Sequence, residues 1–157
     1  CVSRLAIEKN LDAYLALKLP GTKVMVGDGP ERARLEATYP DVVFTGALYG
    51  EALTAAYASA DVFVFPSLAE TFGNVLLESL ACETPVATFP TEGVVPSIIE
   101  AKVGVAHADL RKAAIAALSI KRESCRNFAL RYSHAAATQQ FIENVSRACR
   151  PPLSRAA

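Results

Sequence analysis

The sequence predicts a single α/β domain built on a doubly wound parallel sheet of about six strands. Short apolar runs alternate with segments of helical periodicity along most of the 157 residues, which is the pattern of repeated βαβ units. The run at residues 62–65 is apolar at every position, as expected of a central parallel strand that is covered on both faces. Beyond residue 109 the periodicity is helical, so we expect the domain to close with a helical segment.

The predicted elements follow one another with short connections. The strands are predicted at residues 1–3, 23–26, 42–44, 62–65, 85–88 and 103–106, and right-handed crossovers predict the spatial order 3-2-1-4-5-6. The helices are predicted at residues 10–19, 31–38, 51–59, 73–81, 97–101, 110–120, 122–132 and 135–148, with Asn10 as the N-cap of the first. Residues 1–149 form the predicted domain, and the Pro-rich residues 150–157 a loose tail. A strand of usual length would begin before Cys1, so we expect the chain to be part of a longer protein.

The composition excludes several classes of function. Sixteen Lys and Arg balance sixteen Asp and Glu, which argues against the clustered positive charge that nucleic-acid binding requires, so any anion site must be local. The four cysteines are widely spaced and form no C-x-x-C pair or zinc pattern, which predicts no metal site and indicates a reducing compartment. With no signal peptide and no apolar run as long as a membrane span, the sequence predicts a cytoplasmic location.

The segment after the apolar run at residues 62–65 carries the most chemical information. Gly73 opens a predicted helix at the carboxyl edge of the sheet, where a phosphate would meet free amides and the positive end of the helix dipole. Glu78 lies among apolar residues of that helix, where a carboxylate is costly unless it is hydrogen-bonded. A sugar diol would supply two hydrogen-bond donors to the Glu78 carboxylate. Asn74 lies on the same helical face as Glu78, and Glu70, in the preceding loop, would meet a second set of hydroxyls. The alternative is that Glu78 marks a solvent-facing stripe and Glu70 is a loop charge.

Four motifs follow one another over about the first hundred residues. Residues 3–10 contain Ser-Arg-Leu and Glu-Lys-Asn, residues 26–30 are Val-Gly-Asp-Gly-Pro, residues 44–46 are Phe-Thr-Gly, and seven residues separate Glu70 from Glu78. Together these motifs resemble the family-4 retaining glycosyltransferases of the GT-B fold, whose domains are Rossmann-like. In that order they resemble the family's diphosphate-binding stretch, its glycine loop, the end of its third strand and its hallmark pair of glutamates.

The resemblance implies that the chain is the donor-binding domain of an enzyme that transfers a hexose from a nucleotide-diphosphate sugar, with UDP or GDP as the nucleotide and with retention of configuration. It implies no metal and no other cofactor. The acceptor-binding N-terminal domain is absent from the chain, so the isolated domain is expected to be inactive. Without the N-terminal domain, the apolar stripe of the helix at residues 135–148 must be covered by this domain's own surface or by a second copy of the chain, so the segment is expected to be displaced, poorly ordered or engaged in a self-contact. Peripheral attachment of the full-length enzyme to a membrane is compatible with the resemblance.

The resemblance also implies residue roles. Glu70 would face the transferred sugar, Arg4 and Lys9 would neutralise the diphosphate, and Glu78 would bind the ribose hydroxyls. The other implied donor-binding positions are Thr71, Phe72, Gly73 and Asn74 near the phosphates, Gly27 and Gly29 in the glycine loop, and Gly46, Ala47 and Leu48 around the base. Without the resemblance, Arg4 is better explained as a solvated charge at a strand end and Lys9 as one at a helix start.

The sequence departs from the family pattern at two places, and two other functions remain open. Glu83 stands where the family often has glycine in a turn, and a double glycine is missing near Gly93. The alternatives are a non-hydrolysing sugar-nucleotide epimerase, which the Glu-x7-Glu spacing disfavours, and a non-catalytic Rossmann-like binding module. Stabilisation by nucleoside diphosphates, but not by NAD or nucleoside monophosphates, would favour the transferase.

Overall fold

A computed structural model describes residues 1–68 and 73–148 of the chain. Within these residues the strands are β1 (Val24–Val26), β2 (Val43–Gly46), β3 (Phe63–Phe65), β4 (Val86–Thr88) and β5 (Gly104–Ala106). The α-helices are α1 (Asp12–Leu15), α2 (Arg32–Thr38), α3 (Gly50–Ala58), α4 (Asn74–Ala81), α5 (Val95–Glu100), α6 (Leu110–Ala117), α7 (Arg122–Ala129) and α8 (His134–Ala148). Two 3-10 turns lie at Ile7–Lys9 and Leu130–Tyr132. The predicted tail at residues 150–157 lies outside the described residues.

The strands are parallel, as predicted, but the described residues form two sheets rather than one. β1 pairs with β2, and β3, β4 and β5 pair in that order. The predicted neighbours on each side of the sheet are therefore confirmed. The prediction of a single sheet of about six strands is wrong for the described residues, which contain five strands in sheets of two and three.

The difference lies at residues 1–3, which were expected to form the strand joining the two sheets. Val2 makes one isolated parallel bridge to Val26 of β1, and the amide of Ser3 donates to the carbonyl of Val26 at 3.0 Å. Residues 1–3 thus bond to β1, and among the described residues they form no ladder with β3. A cavity of about 600 Å³ is lined by residues of both sheets, among them Val24 of β1 and Val64 of β3.

The predicted helices occur within a few residues of their expected bounds, with two exceptions. The first helix is shorter than expected at both ends: Asn10 adopts a left-handed conformation with φ of 52° and does not cap α1, and α1 ends at Leu15. The amide of the Asn10 side chain donates instead to the carbonyl oxygen of Pro66 at 3.0 Å. The helix predicted at residues 122–132 divides into α7 and the 3-10 turn Leu130–Tyr132.

The larger sheet is covered on both faces, which accounts for the apolar character of β3 at every position. Val64 packs in a cluster with Met25 of β1 and Ala114 of α6. Phe63 and Phe65 point to the opposite face, since side chains alternate along a strand, and pack in a second cluster with residues of α4, α5 and α7. Helices on both faces of the sheet confirm the predicted α/β fold.

The C-terminal helix α8 presents an apolar stripe that the described residues leave uncovered. Phe141, Ile142 and Val145 are 68%, 52% and 44% exposed, although they share one side of the helix by their spacing. The described part of this domain's core therefore does not bury the stripe. Among the helices described, none combines the length and the apolar character needed to cross a membrane.

Candidate functional site

The glycine loop lies against the segment that carries Arg4 and against the end of β2. The amide of Gly27 donates to the carbonyl of Gly46 at 2.8 Å. A Cβ placed on Gly29 would lie 2.3 Å from the carbonyl oxygen of Leu5, so no other residue fits without a backbone shift. The structure thus brings three sequence-predicted segments together at the carboxyl ends of β1 and β2, which is the edge where parallel α/β sheets bind ligands.

Arg4 precedes the 3-10 turn Ile7–Lys9, and Lys9 is the last residue of that turn. The Arg4 side chain is 67% exposed and forms an ion pair with Glu8, with Nη2 and Oε1 2.9 Å apart. A hydrogen bond from its own backbone amide and the charge of Arg4 lower the pKa of the Glu8 carboxyl. Lys9 is half-buried. Asn10 next to it bonds to the carbonyl of Pro66, so this turn lies close to a residue that precedes Glu70 by four positions in the sequence.

The N-terminus of α4 is formed by Gly73, which is buried and has a left-handed backbone with φ of 82°. Glycine enters this conformation without steric cost. The first amides of α4 have no partner within the helix, and Asn74 beside them is exposed. Three other predicted site residues, Glu70, Thr71 and Phe72, lie outside the described residues.

Glu78 is exposed, so the expectation that its helix buries it is wrong. The residues of α4 that are buried are Leu76, Ser79 and Leu80, and they define an inner stripe that leaves Glu78 on the opposite side, as in the alternative of a solvent-facing stripe. Its carboxylate is nevertheless hydrogen-bonded, because the hydroxyl of Tyr57 in α3 donates to Oε2 at 3.0 Å.

The predicted base-binding loop runs from the end of β2 to the start of α3. Gly46 is buried with φ of 78°, Ala47 is exposed and Leu48 is half-buried. Arg32 of α2 lies over this loop: a Cβ on Gly46 would lie 3.2 Å from Nη1 of Arg32. The loop is therefore accessible at Ala47 and has a cation beside it.

Sequence reasoning missed both Arg32 and Tyr57. Arg32 pairs with Asp28 at 3.0 Å and with Glu36 at 2.8 Å, and the two i,i+4 spacings are a signal that the sequence contains. Tyr57 stands twenty-one positions from Glu78 and no periodicity links the two. Only the packing of α3 against α4 brings them together.

The described segments contain no cluster of three or more His, Cys, Asp or Glu side chains suited to a metal ion. Cys1, Cys82 and Cys125 are free thiols. Of the predicted site residues that the structure describes, none lines the cavity between the sheets. The candidate site is therefore an open edge formed by loops and one helix N-terminus.

Residues 3–123 match the protein family described as Glycosyl transferases group 1. The chain belongs to this family. The matched region contains every segment of the candidate site, from Arg4 through the glycine loop to Glu78. The family is one of transferases, and neither the epimerase nor the non-catalytic module is favoured.

Two mycobacterial relatives have curated activities. The chain is 51% identical over 87 residues to a GDP-mannose-dependent alpha-mannosyltransferase of Mycobacterium tuberculosis (strain CDC 1551 / Oshkosh), covering 54% of this chain and 23% of that protein. It is 44% identical over 123 residues to a GDP-mannose-dependent alpha-(1-6)-phosphatidylinositol dimannoside mannosyltransferase of M. tuberculosis (strain ATCC 25177 / H37Ra), covering 72% of this chain and 32% of that protein. The chain therefore spans less than a third of the length of either relative.

Solved structures show the same fold. AviGT4, a glycosyltransferase involved in avilamycin A biosynthesis, matches with a TM-score of 0.72 and 22% identity over 94% of this chain and 50% of its own. Anabaena Alr3699/HepE in complex with UDP matches with a TM-score of 0.72 and 21% identity over 93% of this chain and 48% of its own. The α/β fold is thus that of GT-B glycosyltransferase structures.

Proposed function

We propose that the chain is the donor-binding domain of a family-4 retaining glycosyltransferase, which transfers a hexose from a nucleotide-diphosphate sugar. The observation that carries this proposal is the contact between the Arg4 segment, the Gly27–Gly29 loop and Gly46 at one edge of the fold. Three separate stretches that the family resemblance assigns to the donor are adjacent there. The membership of residues 3–123 in a glycosyltransferase family supports the same assignment.

The proposed chemistry is the departure of a nucleoside diphosphate from the anomeric carbon of the sugar. Negative charge develops on the diphosphate in the transition state, and fixed positive groups lower the barrier most when they point at that charge. Arg4, Lys9 and the first amides of α4 are the groups we assign to this role. Glu70 faces the sugar in this proposal, and no metal is required if the cations and amides stabilise the leaving group.

Glu78 is the proposed ligand of the ribose. A carboxylate has about four acceptor positions, and Tyr57 occupies one of them. The exposed carboxylate therefore retains acceptor positions for two neighbouring hydroxyls. The loop containing Ala47 and Leu48 is the proposed contact for the base, made largely through its backbone.

GDP-mannose is the donor to test first, because both mycobacterial relatives are named as GDP-mannose-dependent enzymes. UDP sugars are the second candidates, since a structural neighbour is a complex with UDP. We further propose that the acceptor-binding half belongs to a separate domain, and that the apolar stripe on α8 packs against that domain or against a second copy of the chain.

Titration calorimetry with GDP, UDP and inorganic pyrophosphate tests the assignment. Glu78→Ala should weaken the binding of GDP or UDP by roughly 10- to 100-fold, since a hydrogen bond to a charged group is worth about 1.5–3 kcal/mol, and should leave pyrophosphate binding unchanged. Arg4→Ala and Lys9→Ala should weaken the binding of GDP, UDP and pyrophosphate, but not the binding of nucleosides.

Two exposed charges away from the site provide matched controls. Glu123→Ala in α7 and Lys112→Ala in α6 remove the same kinds of charge from exposed helical positions and should leave all affinities unchanged. If Glu78→Ala, Arg4→Ala and Lys9→Ala all bind GDP and UDP as the parent chain does, the site is wrongly assigned.

A further inference from the structure

Tyr57 lies outside every segment that the family resemblance assigns to the donor, yet its hydroxyl reaches the carboxylate of Glu78. Tyr57 belongs to α3 and is 3% exposed, while Glu78 belongs to α4 and is exposed. The hydroxyl donates to Oε2 of Glu78 at 3.0 Å. The buried Tyr57 hydroxyl thus holds one oxygen of the exposed Glu78 carboxylate.

The Tyr57 ring is fixed by aromatic packing. It meets Phe63 edge to face, with ring centroids 5.5 Å apart, and Phe63 stacks on Phe65 at 6.3 Å. Both phenylalanines belong to β3. The packing of the Tyr57 ring against β3 therefore fixes the position of its hydroxyl.

The backbone around Tyr57 is fixed as well. The buried hydroxyl of Thr84 donates to the carbonyl of Tyr57 at 2.7 Å. Arg122 donates to the carbonyls of Ala58 and Ala60, at 2.7 Å in each case. The C-terminal end of α3 is thereby tied to the turn after α4 and to the start of α7.

Tyr57 can act toward Glu78 only as a hydrogen-bond donor. Burial, reinforced by the negative charge of Glu78, raises the pKa of the Tyr57 hydroxyl well above its ordinary value. The phenol therefore stays protonated at neutral pH, and its single proton is directed at Oε2. The second oxygen of the carboxylate is left for other donors.

We infer that Tyr57 is a positioning residue that holds the Glu78 carboxylate in the orientation in which it receives the two ribose hydroxyls. This inference rests on the proposed donor-binding role of Glu78. An exposed glutamate samples several rotamers, and restricting it before the ligand arrives removes an entropy cost from binding. Tyr57 does not itself touch the ligand.

A double-mutant cycle tests the inference, with the affinities for GDP, UDP and pyrophosphate measured by calorimetry. Tyr57→Phe keeps the ring and its packing and removes only the hydroxyl. It should weaken GDP and UDP binding by about 3- to 10-fold, the range of one ordinary hydrogen bond, without changing pyrophosphate binding. In the Glu78→Ala background the same substitution should have no further effect on affinity, because the two residues act through one contact.

Tyr14→Phe is the matched control, since it removes another buried tyrosine hydroxyl, one that bonds to the backbone of Val24 and not to Glu78. It should lower the melting temperature and leave GDP and UDP affinities as they are. A purely structural role for Tyr57 would instead make Tyr57→Phe resemble Tyr14→Phe, with lower stability and unchanged affinity.

The outcomes separate the inference from the function on which it rests. If Glu78→Ala weakens binding but Tyr57→Phe does not, or if Tyr57→Phe acts equally in both backgrounds, the positioning role is refuted and the donor site stands. If Glu78→Ala has no effect on GDP or UDP, the ribose assignment fails and the positioning role fails with it.

Discussion

Phe141→Asp in α8 should have almost no effect on folding, although it places a charge on a large apolar position. Burying a whole Phe side chain is worth about 1.5–3 kcal/mol, but Phe141 is 68% exposed, so the covered part contributes under about 1 kcal/mol. A domain of this size loses roughly 2–4 °C of melting temperature per kcal/mol. Phe128→Ala in the neighbouring α7, where the ring is 3% exposed, should cost about 3–5 kcal/mol.

Thermal unfolding, hydrogen exchange over residues 135–148 and sedimentation of the same samples would test this contrast. In a dilute monomer the amides of α8 should exchange faster than those of the buried strands, and GDP affinity should not change in Phe141→Asp. If the parent chain self-associates, the substitution should shift it toward monomer. A loss of stability as large as that of Phe128→Ala, together with strong protection of residues 135–148, would show that this domain covers the stripe and would remove the argument for a partner domain there.

One further prediction concerns stability alone. Glu83→Gly should stabilise the chain by about 0.5–1 kcal/mol in urea unfolding, because a left-handed residue other than glycine costs about 1–2 kcal/mol, partly offset by the entropy of an unfolded glycine; an unchanged or lower stability would contradict it.

Local chemistry made much of this fold predictable. Glu83, which stands where the resembled family often has glycine, has a positive φ of 63°. The bounds of β3 and α4 follow from an apolar run, a glycine and a helical pattern. Such features depend on neighbouring residues in the chain, which the sequence displays directly.

The predictions that are wrong depended on partners distant in sequence. Asn10 was expected to cap a helix, but a carbonyl fifty-six positions away holds its side chain. The burial of α4 was misjudged because Ser79 turns inward and donates to the carbonyl of Thr84 at 2.9 Å, so a polar residue occupies the inner stripe and Glu78 the outer one. Periodicity alone cannot identify a buried serine whose partner lies in a following turn.

The ion pair between Arg4 and Glu8 does not argue against a phosphate role for Arg4. The pair is exposed on both sides, and exposed ion pairs contribute little to stability because water and salt screen them. An arginine binds a diphosphate through short, charge-assisted and often bidentate hydrogen bonds, which are among the stronger polar contacts in proteins. In the proposed donor complex Arg4 therefore exchanges a weak partner for a stronger one, while Glu8 returns to water. In a chain whose formal net charge is zero, such an exchange supplies positive charge at one site without requiring a positive surface elsewhere.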